Sequence, residues 1–554
     1  MPIKVSVVVP VYNPGEYFEP CIASLLKQSL PPTELELIFV DDGSTDQTPA
    51  RLDQLAREHP HVKVIHQENS GWPGQPRNAG TDAATGEYVH YVDADDEMPE
   101  EALERLYAFA RRNDSDIVIG KQVGDGRHVP VGLFRRNRDR ATVHDSPIIT
   151  SLKPHKMFRR AFLAEAGLRF PEGRVRLEDQ RFVVAAYFAA RTISVLSDYV
   201  CYVHKSRSDH GNIGATHTAP SDYFNDLRSV LDIVDANTDP GPERDRLHRR
   251  WLRWAMVGRM RGRRLLRKDE EWRQQLFDAI RPVVLTRFSA GVDAGLRPMD
   301  RLVAALIRRG DLEALLELAR WEVGLRLAVH LTEARWRDGA LVLAVRAELV
   351  DPDGNPVPLR ESSAGRAIAP PLRGELLAEL PPEILVEEAP VRLEIVARHV
   401  RTGAERFLPP RSRHQDDHAV AASVRGHLTS GRNGPGLAEG VWDVSVRYWA
   451  YGWNITTPVA RLPGVATLPL EPSRAGRGGQ ELLPFWNASG QLSIKVGPVD
   501  RRNKEKPFAV ASLMYRLLDR LPHTVARRLR GLVRRIRAVG HKRPVPSTRG
   551  RRPS

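Results

Sequence analysis

The sequence has little cysteine: only Cys21 and Cys201 among 554 residues. A scaffold held by several disulfide bonds is therefore excluded, and a reducing compartment is favoured. No apolar run reaches about 18 residues, so we expect no membrane-spanning helix. The first residues, MPIKVSVVVPVYN, enter a strand at once, and we expect no signal peptide. With 41% apolar and 27% charged residues, the composition is that of an ordinary soluble globular protein.

The positive charge is concentrated at one end of the chain. The formal net charge is +14, and residues 501–554 alone hold 17 Lys/Arg against 2 Asp/Glu. Apolar residues from Val525 to Val539 fall on one helical face, and arginines fill much of the rest. This pattern predicts a basic amphipathic helix that binds an anionic membrane surface. A helix packed on the protein, a nucleic-acid contact and a solvated tail are the alternatives.

Strand and helix patterns alternate over the first 120 residues, which predicts βαβ units and a parallel sheet with helices on both faces. The predicted strands are residues 4–10, 36–42, 62–67, 88–93 and 116–120. Parallel sheets bind ligands beyond the carboxyl ends of their strands. Polar residues follow the first four strands there: Tyr12, Asn13, Asp41, Asp42, Asn69 and Asp93 to Asp96.

Two common nucleotide-binding motifs are missing. The first strand-to-helix turn reads PVYNPGEYF and has no GxGxxG, which argues against a dinucleotide-dependent dehydrogenase. GxxxxGK[ST] does not occur either. The segment YVDADDE (91–97) instead delivers three carboxylates to one strand end. Such a cluster suits a hard cation, Mg²⁺ or Mn²⁺, shared with a substrate phosphate.

Several segments in order resemble the inverting nucleotide-sugar glycosyltransferases of family 2, which have the Rossmann-like α/β GT-A fold. The segments are VSVVVPVYN, FVDDGSTD, NSGWPGQPRNAG, YVDADDE, FPEGRVRLEDQRF (170–182) and YVHKSRSDH (202–210). Within that family, the pattern is most similar to the wall teichoic acid poly(ribitol-phosphate) N-acetylglucosaminyltransferases. These enzymes have a helical linker and a C-terminal β domain.

The resemblance implies a role for each matching residue. The implied nucleotide-sugar contacts are Pro10, Tyr12, Asp42, Asn69, Arg77 and Asp93. Asp95 would bind the metal directly, and His210 would complete its coordination. Trp72 stands where a small residue is expected, so it either narrows the sugar pocket or packs at its rim.

Inverting transfer also needs a base that deprotonates the acceptor hydroxyl. We assign this role to Asp179, with Glu178 beside it as a partner for a sugar hydroxyl. A helix start that carries acids against its dipole is the structural alternative. Glu172, Gln180, Lys205 and Arg207 are candidate acceptor or sugar contacts. Lys153 and Lys156 add positive charge in the same half of the domain.

The pattern divides the chain into four parts. We expect a GT-A domain at 1–220, a helical linker at 221–325, one or two immunoglobulin-like β-sandwich units at 326–500 and the basic tail at 501–554. Arginine-rich stretches of the linker such as 258–267 either face an anionic polymer or lie on a solvated helix face. We expect the β region to assemble the protein into a homo-oligomer.

The leading hypothesis is therefore a Mn²⁺- or Mg²⁺-dependent hexosyltransferase. It would move N-acetylglucosamine from a UDP-sugar to a polyol-phosphate cell-wall polymer, at the cytoplasmic face of the membrane. Transfer to another lipid-linked surface glycan is one alternative. A non-catalytic scaffold that binds anionic polymer through the tail is another. We expect no nucleic-acid partner, because the body outside the tail is nearly neutral and the candidate site is acidic.

Overall fold

The structure is a computed structural model, and it describes most of the chain up to residue 497. The described residues are 2–125, 132–205, 219–337, 340–387, 391–401, 403, 405–408, 410–415, 421–428, 437, 439–461, 473–474 and 481–497. Three regions follow one another: an α/β domain, a helical region and a β-sheet region. The basic tail, and the helix expected there, lie outside the described residues.

Eight strands among the described residues form one mixed sheet in the α/β domain, in the order β3-β2-β1-β4-β7-β5-β8-β6. The strands are β1 (Val5–Val11), β2 (Leu35–Asp41), β3 (Val62–His66), β4 (Tyr88–Tyr91), β5 (Ile117–Asp125), β6 (Arg138–Ala141), β7 (Met157–Arg159) and β8 (Ile193–Lys205). The helices are α1 (Phe18–Leu26), α2 (Thr48–Glu58), α3 (Gly74–Ala83), α4 (Ala102–Asn113), α5 (Arg160–Glu165) and α6 (Glu178–Ala189).

The first four strands are parallel, as the sequence predicts. Every residue of β2 is buried, and so is nearly every residue of β1, which explains their continuous apolar runs. The sheet also contains a strand that the sequence analysis did not predict: β7 lies antiparallel between β4 and β5. The parallel rule applies to strands joined by a crossover helix. No α-helix occurs among the described residues between β5 and β7.

The helical region follows β8. Its helices are α7 (Pro220–Ala236), α8 (Pro242–Trp251), α9 (Gly262–Leu266), α10 (Glu270–Arg287), α11 (Ala290–Ala294), α12 (Pro298–Arg309) and α13 (Leu312–Gly324). Between α8 and α9 the chain makes a π-helical turn at Leu252–Met256 and a 3₁₀ turn at Val257–Arg259. No helix in the described part of the chain combines the length and hydropathy that crossing a membrane requires.

The β-sheet region contains a four-stranded and a seven-stranded sheet among the described residues, with a two-stranded hairpin. Its strands are β9 (Arg326–Arg337), β10 (Ala340–Val350), β11 (Leu359–Ser362), β12 (Gly365–Ile368), β13 (Arg392–His399), β14 (Glu405–Phe407), β15 (Pro410–Gln415), β16 (Ala421–Leu428), β17 (Gly440–Ala450), β18 (Trp453–Pro458), β19 (Ser473–Arg474), β20 (Glu481–Trp486) and β21 (Leu492–Val496). A short helix, α14 (Gly374–Ala378), follows β12.

Ion pairs hold the helical region together, and a backbone hydrogen bond joins it to the β-sheet region. Arg261 pairs with both Asp300 and Glu322, and all three side chains are largely buried. Met299 donates its backbone N–H to the carbonyl of Tyr451 at 2.9 Å, which ties α12 to the turn after β17. The helical region is thus packed against the β-sheet region rather than strung between two domains.

Candidate active site

The turns after β2 and β3 meet at the carboxyl edge of the sheet. Asp42 is buried and accepts hydrogen bonds from Gln67 Nε2 at 2.6 Å and from the Ser70 hydroxyl at 2.8 Å. Gly43 has a φ of +72°, and a Cβ there would lie 2.7 Å from the backbone nitrogen of Asn69. Glycine therefore permits a contact between two turns that any side chain would push apart. Asp42 acts here as the anchor of this contact.

Three of the residues implied as nucleotide-sugar contacts border the same edge. Tyr12 follows β1 and is 52% exposed, more than most large aromatic side chains in the described part of the chain. Pro10 is half-buried in β1, and Asn69 is exposed and holds its own turn by accepting from the Gly71 N–H at 2.8 Å. An exposed aromatic face beside polar turn residues has the composition of a site for a nucleobase.

Three carboxylates cluster just beyond β4. Asp93, Asp95 and Asp96 each offer an oxygen, and these oxygens lie within 4.8 Å of one another. Asp96 is fully buried and accepts from the Tyr202 hydroxyl at 2.9 Å and from the Lys205 backbone N–H at 2.8 Å. Asp93 and Asp95 are only half-buried. The cluster thus has one internal acid and two that line the surface.

Buried aromatic and histidine side chains, which the sequence analysis did not identify, contact this acid cluster. His155 stacks on Tyr202 with ring centroids 4.4 Å apart, and its Nε2 lies 3.1 Å from Asp93 Oδ2. His204 Nδ1 lies 3.1 Å from Asp96 Oδ2. Tyr202 accepts from the Asp93 N–H at 3.1 Å. These residues come from β8 and from the segment before β7, so no local motif reveals them.

One buried arginine joins the acid cluster to the start of α6. Arg77 donates from Nη2 to Asp93 Oδ1 at 3.0 Å and from Nη1 to Glu178 Oε1 at 3.1 Å. Trp72 Nε1 donates to the other oxygen of Glu178 at 3.0 Å. Trp72 is buried, so it packs under the site. Both oxygens of Glu178 therefore accept hydrogen bonds from the protein. Glu178 holds the side chains of Arg77 and Trp72 in position.

Helix α6 begins at Glu178, directly after Leu177, whose φ of +61° lies in the left-handed region. That conformation is costly for a leucine and is typical of functional sites. Asp179 lies at the helix start and is partly exposed. Burial of its carboxyl and the adjacent Glu178 raise the pKa of Asp179 to about 7, against the opposing charges of Arg77 and Lys153. Asp179 can therefore take up and release a proton near neutral pH.

Two further cations influence Asp179 from neighbouring elements. Lys156 is fully buried, donates to the backbone carbonyl of Lys153, and has a pKa lowered by burial to about 7. Its side chain therefore has no exposed surface to offer to an acceptor. Arg250 of α8 has a pKa lowered by burial to about 10, which the Asp179 charge opposes. Lys153 is exposed.

The remaining predicted contacts lie around this centre. Gln180 accepts from Trp251 Nε1 at 2.9 Å, which ties the start of α6 to the helical region. Glu172 is exposed and accepts from Asn78 Nδ2 at 2.9 Å. Lys205 Nζ lies 3.3 Å from Glu97 Oε1, beside the acid cluster. Arg207 and His210 lie outside the described residues.

Comparison with known proteins assigns this chain to a family. The glycosyl transferase family 2 profile matches residues 6–165. The poly(ribitol-phosphate) beta-N-acetylglucosaminyltransferase TarP of Staphylococcus aureus is 32% identical over 236 residues, which cover 42% of this chain and 72% of TarP. The chain belongs to glycosyltransferase family 2. A second profile, the glycosyl transferase TarS linker domain, matches residues 220–319 of this family 2 chain.

Two further relatives support the assignment to glycosyltransferase family 2. A poly(ribitol-phosphate) beta-glucosyltransferase of Bacillus spizizenii is 32% identical over 323 residues, or 58% of this chain. This chain spans about half the length of that relative, 51%. The crystal structure of S. aureus TarS 1–349 in complex with UDP-GlcNAc superposes with a TM-score of 0.52 at 32% identity, covering 57% of this chain and 91% of that one.

Proposed function

We propose that this protein transfers a sugar, N-acetylglucosamine, from its UDP-sugar to a hydroxyl of a polyol-phosphate polymer, with inversion at the anomeric carbon. One observation carries the proposal. The buried guanidinium of Arg77 joins the acid cluster, through Asp93, to Glu178 at the start of α6, and the next residue, Asp179, has a carboxyl with a pKa near 7. The likeness to chains named poly(ribitol-phosphate) glycosyltransferases supports the choice of substrate class.

The donor would lie along the turns after β1, β2 and β3. Tyr12 and Pro10 would contact the uracil, and Asn69 would line the pocket. Asp42 is buried beneath these turns, so we assign it to shaping the pocket as well as to a hydrogen bond with the nucleoside. Arg77 is buried behind Asp93, and its role is to fix the carboxylates rather than to bind phosphate in the open.

The acid cluster fits a divalent cation, Mn²⁺ or Mg²⁺, because its convergent carboxylate oxygens are hard ligands. Asp95 would bind the cation directly, Asp93 would support it, and His210 is the further ligand that we propose. When bound, the cation would neutralise charge that develops on the leaving diphosphate. Asp96 is committed to Tyr202, His204 and the Lys205 backbone, so we assign it to holding the loop.

Asp179 would act as the general base. Its pKa near 7 matches the requirement that a base be partly unprotonated yet able to accept a proton at working pH. Glu178 would fix the neighbouring backbone through Arg77 and Trp72. Glu172, Gln180, Lys205 and Arg207 surround the acceptor side in this proposal, and Lys153 adds an exposed cation there.

Assembly and location complete the proposal. The β-sheet region would be immunoglobulin-like and would join copies of the chain into a homo-oligomer. The basic tail would hold the enzyme at the inner face of the membrane, where lipid-linked polymer is made available. Vesicle sedimentation of the full chain and of a chain that ends at residue 500 would test the tail, and the expected result is binding by the full chain only.

A donor panel tests the catalytic proposal. UDP release is measured from UDP-GlcNAc and UDP-glucose, with and without Mn²⁺ and with poly(ribitol phosphate) as acceptor. We expect acceptor-dependent release from UDP-GlcNAc that a chelator abolishes. Faster release from UDP-glucose would change the sugar and keep the site. Release from neither donor would contradict the proposed activity.

A further inference from the structure

A small pocket lies where the helical region meets the β-sheet region, and the donor site does not use it. We call it the junction pocket; its lining is Arg253, Arg297, Arg392, Trp449, Ala450, Gly452 and Trp453. Arg253 comes from the π-helical turn after α8, and Arg297 caps the start of α12. Arg392 and Trp449 face each other across β13 and β17. Three separate elements thus bring three guanidinium groups together.

Buried carboxylates hold these arginines from behind. Arg253 Nε lies 3.1 Å from Asp300 Oδ2, Arg297 Nη1 lies 2.6 Å from Glu387 Oε1, and Arg392 Nε lies 2.9 Å from Glu394 Oε1. The arginine side chains are 37–40% exposed, whereas the acids are only 4–6% exposed. Arg253 and Arg392 make their shortest contacts with these acids through Nε.

Aromatic rings line the same pocket. The Arg392 guanidinium carbon lies 4.9 Å from the ring centroid of Trp449, and the Arg253 guanidinium carbon lies 5.5 Å from that of Trp254. Trp254, which follows Arg253 in the chain, is 45% exposed. Stacking on an aromatic ring fixes the plane of each guanidinium, which favours forked hydrogen bonds to a phosphate. The ring faces themselves suit the C–H surface of a polyol.

The size of the pocket limits what it can hold. Its volume is about 120 Å³. That corresponds to about four water molecules at roughly 30 Å³ each. A single phosphate group fits such a space, and the polyol on either side of it would extend over the tryptophans. The pocket therefore matches one link of a polyol-phosphate chain better than a whole nucleotide.

We propose that the junction pocket binds a phosphodiester group of the polyol-phosphate acceptor at a distance from the residues that carry out transfer. This proposal rests on the proposed function for the identity of the polymer. One helix end connects the two sites, because Trp251 bonds to Gln180 at the start of α6 and Arg253 follows two residues later. A polymer held in the pocket would be retained between successive transfers.

Equilibrium binding of poly(ribitol phosphate) to the full chain, without donor or metal, tests the pocket. The variants are Arg392→Gln and Arg253→Gln, chosen because Glu394 keeps Arg135 and Asp300 keeps Arg261 as partners. We expect each variant to bind about tenfold more weakly, as the loss of a charged hydrogen bond predicts. The matched control is Arg335→Gln, which removes an exposed arginine of β9 that pairs with Glu333.

A further variant and a second polymer distinguish the possible reasons for a negative result. Arg297→Lys keeps the charge but loses the forked donor, so weaker binding by this variant supports recognition of phosphate geometry. Unchanged binding by all three variants overturns the proposal, as does equal, arginine-dependent binding of poly(U), which would make the pocket a nucleic-acid contact. The binding experiment contains no donor, so its result does not depend on turnover. If the chain releases no UDP in the donor panel but its polymer binding still depends on these arginines, the proposed activity is contradicted and the proposed pocket is not.

Discussion

The candidate active site and the junction pocket have opposite charges and the same construction. At the sheet edge, one buried guanidinium, Arg77, holds two carboxylates, and one of them, Asp93, is partly exposed in the acid cluster. At the junction, guanidinium groups are gathered over buried carboxylates and face outward from them. In both places the buried counter-charge fixes the geometry, and the exposed charge has the sign opposite to that of the proposed ligand. The first site suits a cation and the second an anion.

The largest expected effect is at the acid cluster. Asp95→Ala should abolish turnover, because it removes the proposed direct ligand of the cation that neutralises the diphosphate. The measurement is UDP release at saturating Mn²⁺. Asp82→Ala is the matched control, since Asp82 is an exposed acid of the same domain that pairs with Arg169. Wild-type activity that persists in chelator would contradict the metal assignment.

A smaller loss of turnover is expected at the proposed base, Asp179, and it should not affect donor binding. Asp179→Asn should lower kcat about 10³-fold and leave UDP-sugar affinity nearly intact, because a general base acts on the acceptor. Folding raises the pKa of Asp179 from 3.8 to about 7, so its stabilising contribution is complete below pH 3.8 and is lost as the pH rises through 7. The Asn variant should therefore be at least as stable as wild type at pH 8. Lost stability would indicate a structural Asp179.

A buried and an exposed arginine should differ in how much they contribute to the stability of the fold. Arg77→Gln should lower the free energy of unfolding by about 3 kcal/mol or more, because it leaves Asp93 and Glu178 without their buried partner. Arg392→Gln should cost less than about 1 kcal/mol, since that side chain is 40% exposed. Denaturant titration measures both. Equal costs would remove the distinction between a structural and a ligand-facing arginine.

The smallest effect is on pH dependence. With the base assigned to Asp179, kcat/KM should fall as the pH drops below about 7 and level off above it, because the base must be unprotonated. Lys156, Arg250, Lys153, Arg77 and Glu178 all influence this titration. A profile that is flat between pH 5.5 and 8.5, on the order of three pH units, would assign the base elsewhere.

Local patterns predicted the parts of the structure that depend on local chemistry. The apolar runs of β1 and β2 are buried strands, and the polar turns after them meet at one edge. The sequence did not reveal β7 as an antiparallel insertion, nor the support of Asp93 and Asp96 by His155 and His204. These contacts join residues more than 60 positions apart or lie in segments without a periodic pattern.

Arginine positions show the same limit. The arginine-rich stretch 258–267 was a candidate for polymer contact, yet Arg261 is buried between Asp300 and Glu322, and Arg259 stacks on Tyr223. The arginines that gather at the junction pocket come from three separate parts of the chain, at Arg253, Arg297 and Arg392. A run of like charges in the sequence therefore does not by itself predict a binding site. A site depends on which distant residues the fold brings together.

The stereochemistry of the product tests the central claim most directly. The full chain is incubated with UDP-α-N-acetylglucosamine, Mn²⁺ and poly(ribitol phosphate), and the anomeric configuration of the attached sugar is read by NMR. Direct displacement at a single metal and base centre predicts a β-linked sugar, formed at the wild-type rate only when Asp95 and Asp179 are intact. An α-linked product, or β-linked product from the Asp179→Asn chain at the wild-type rate, would contradict the account.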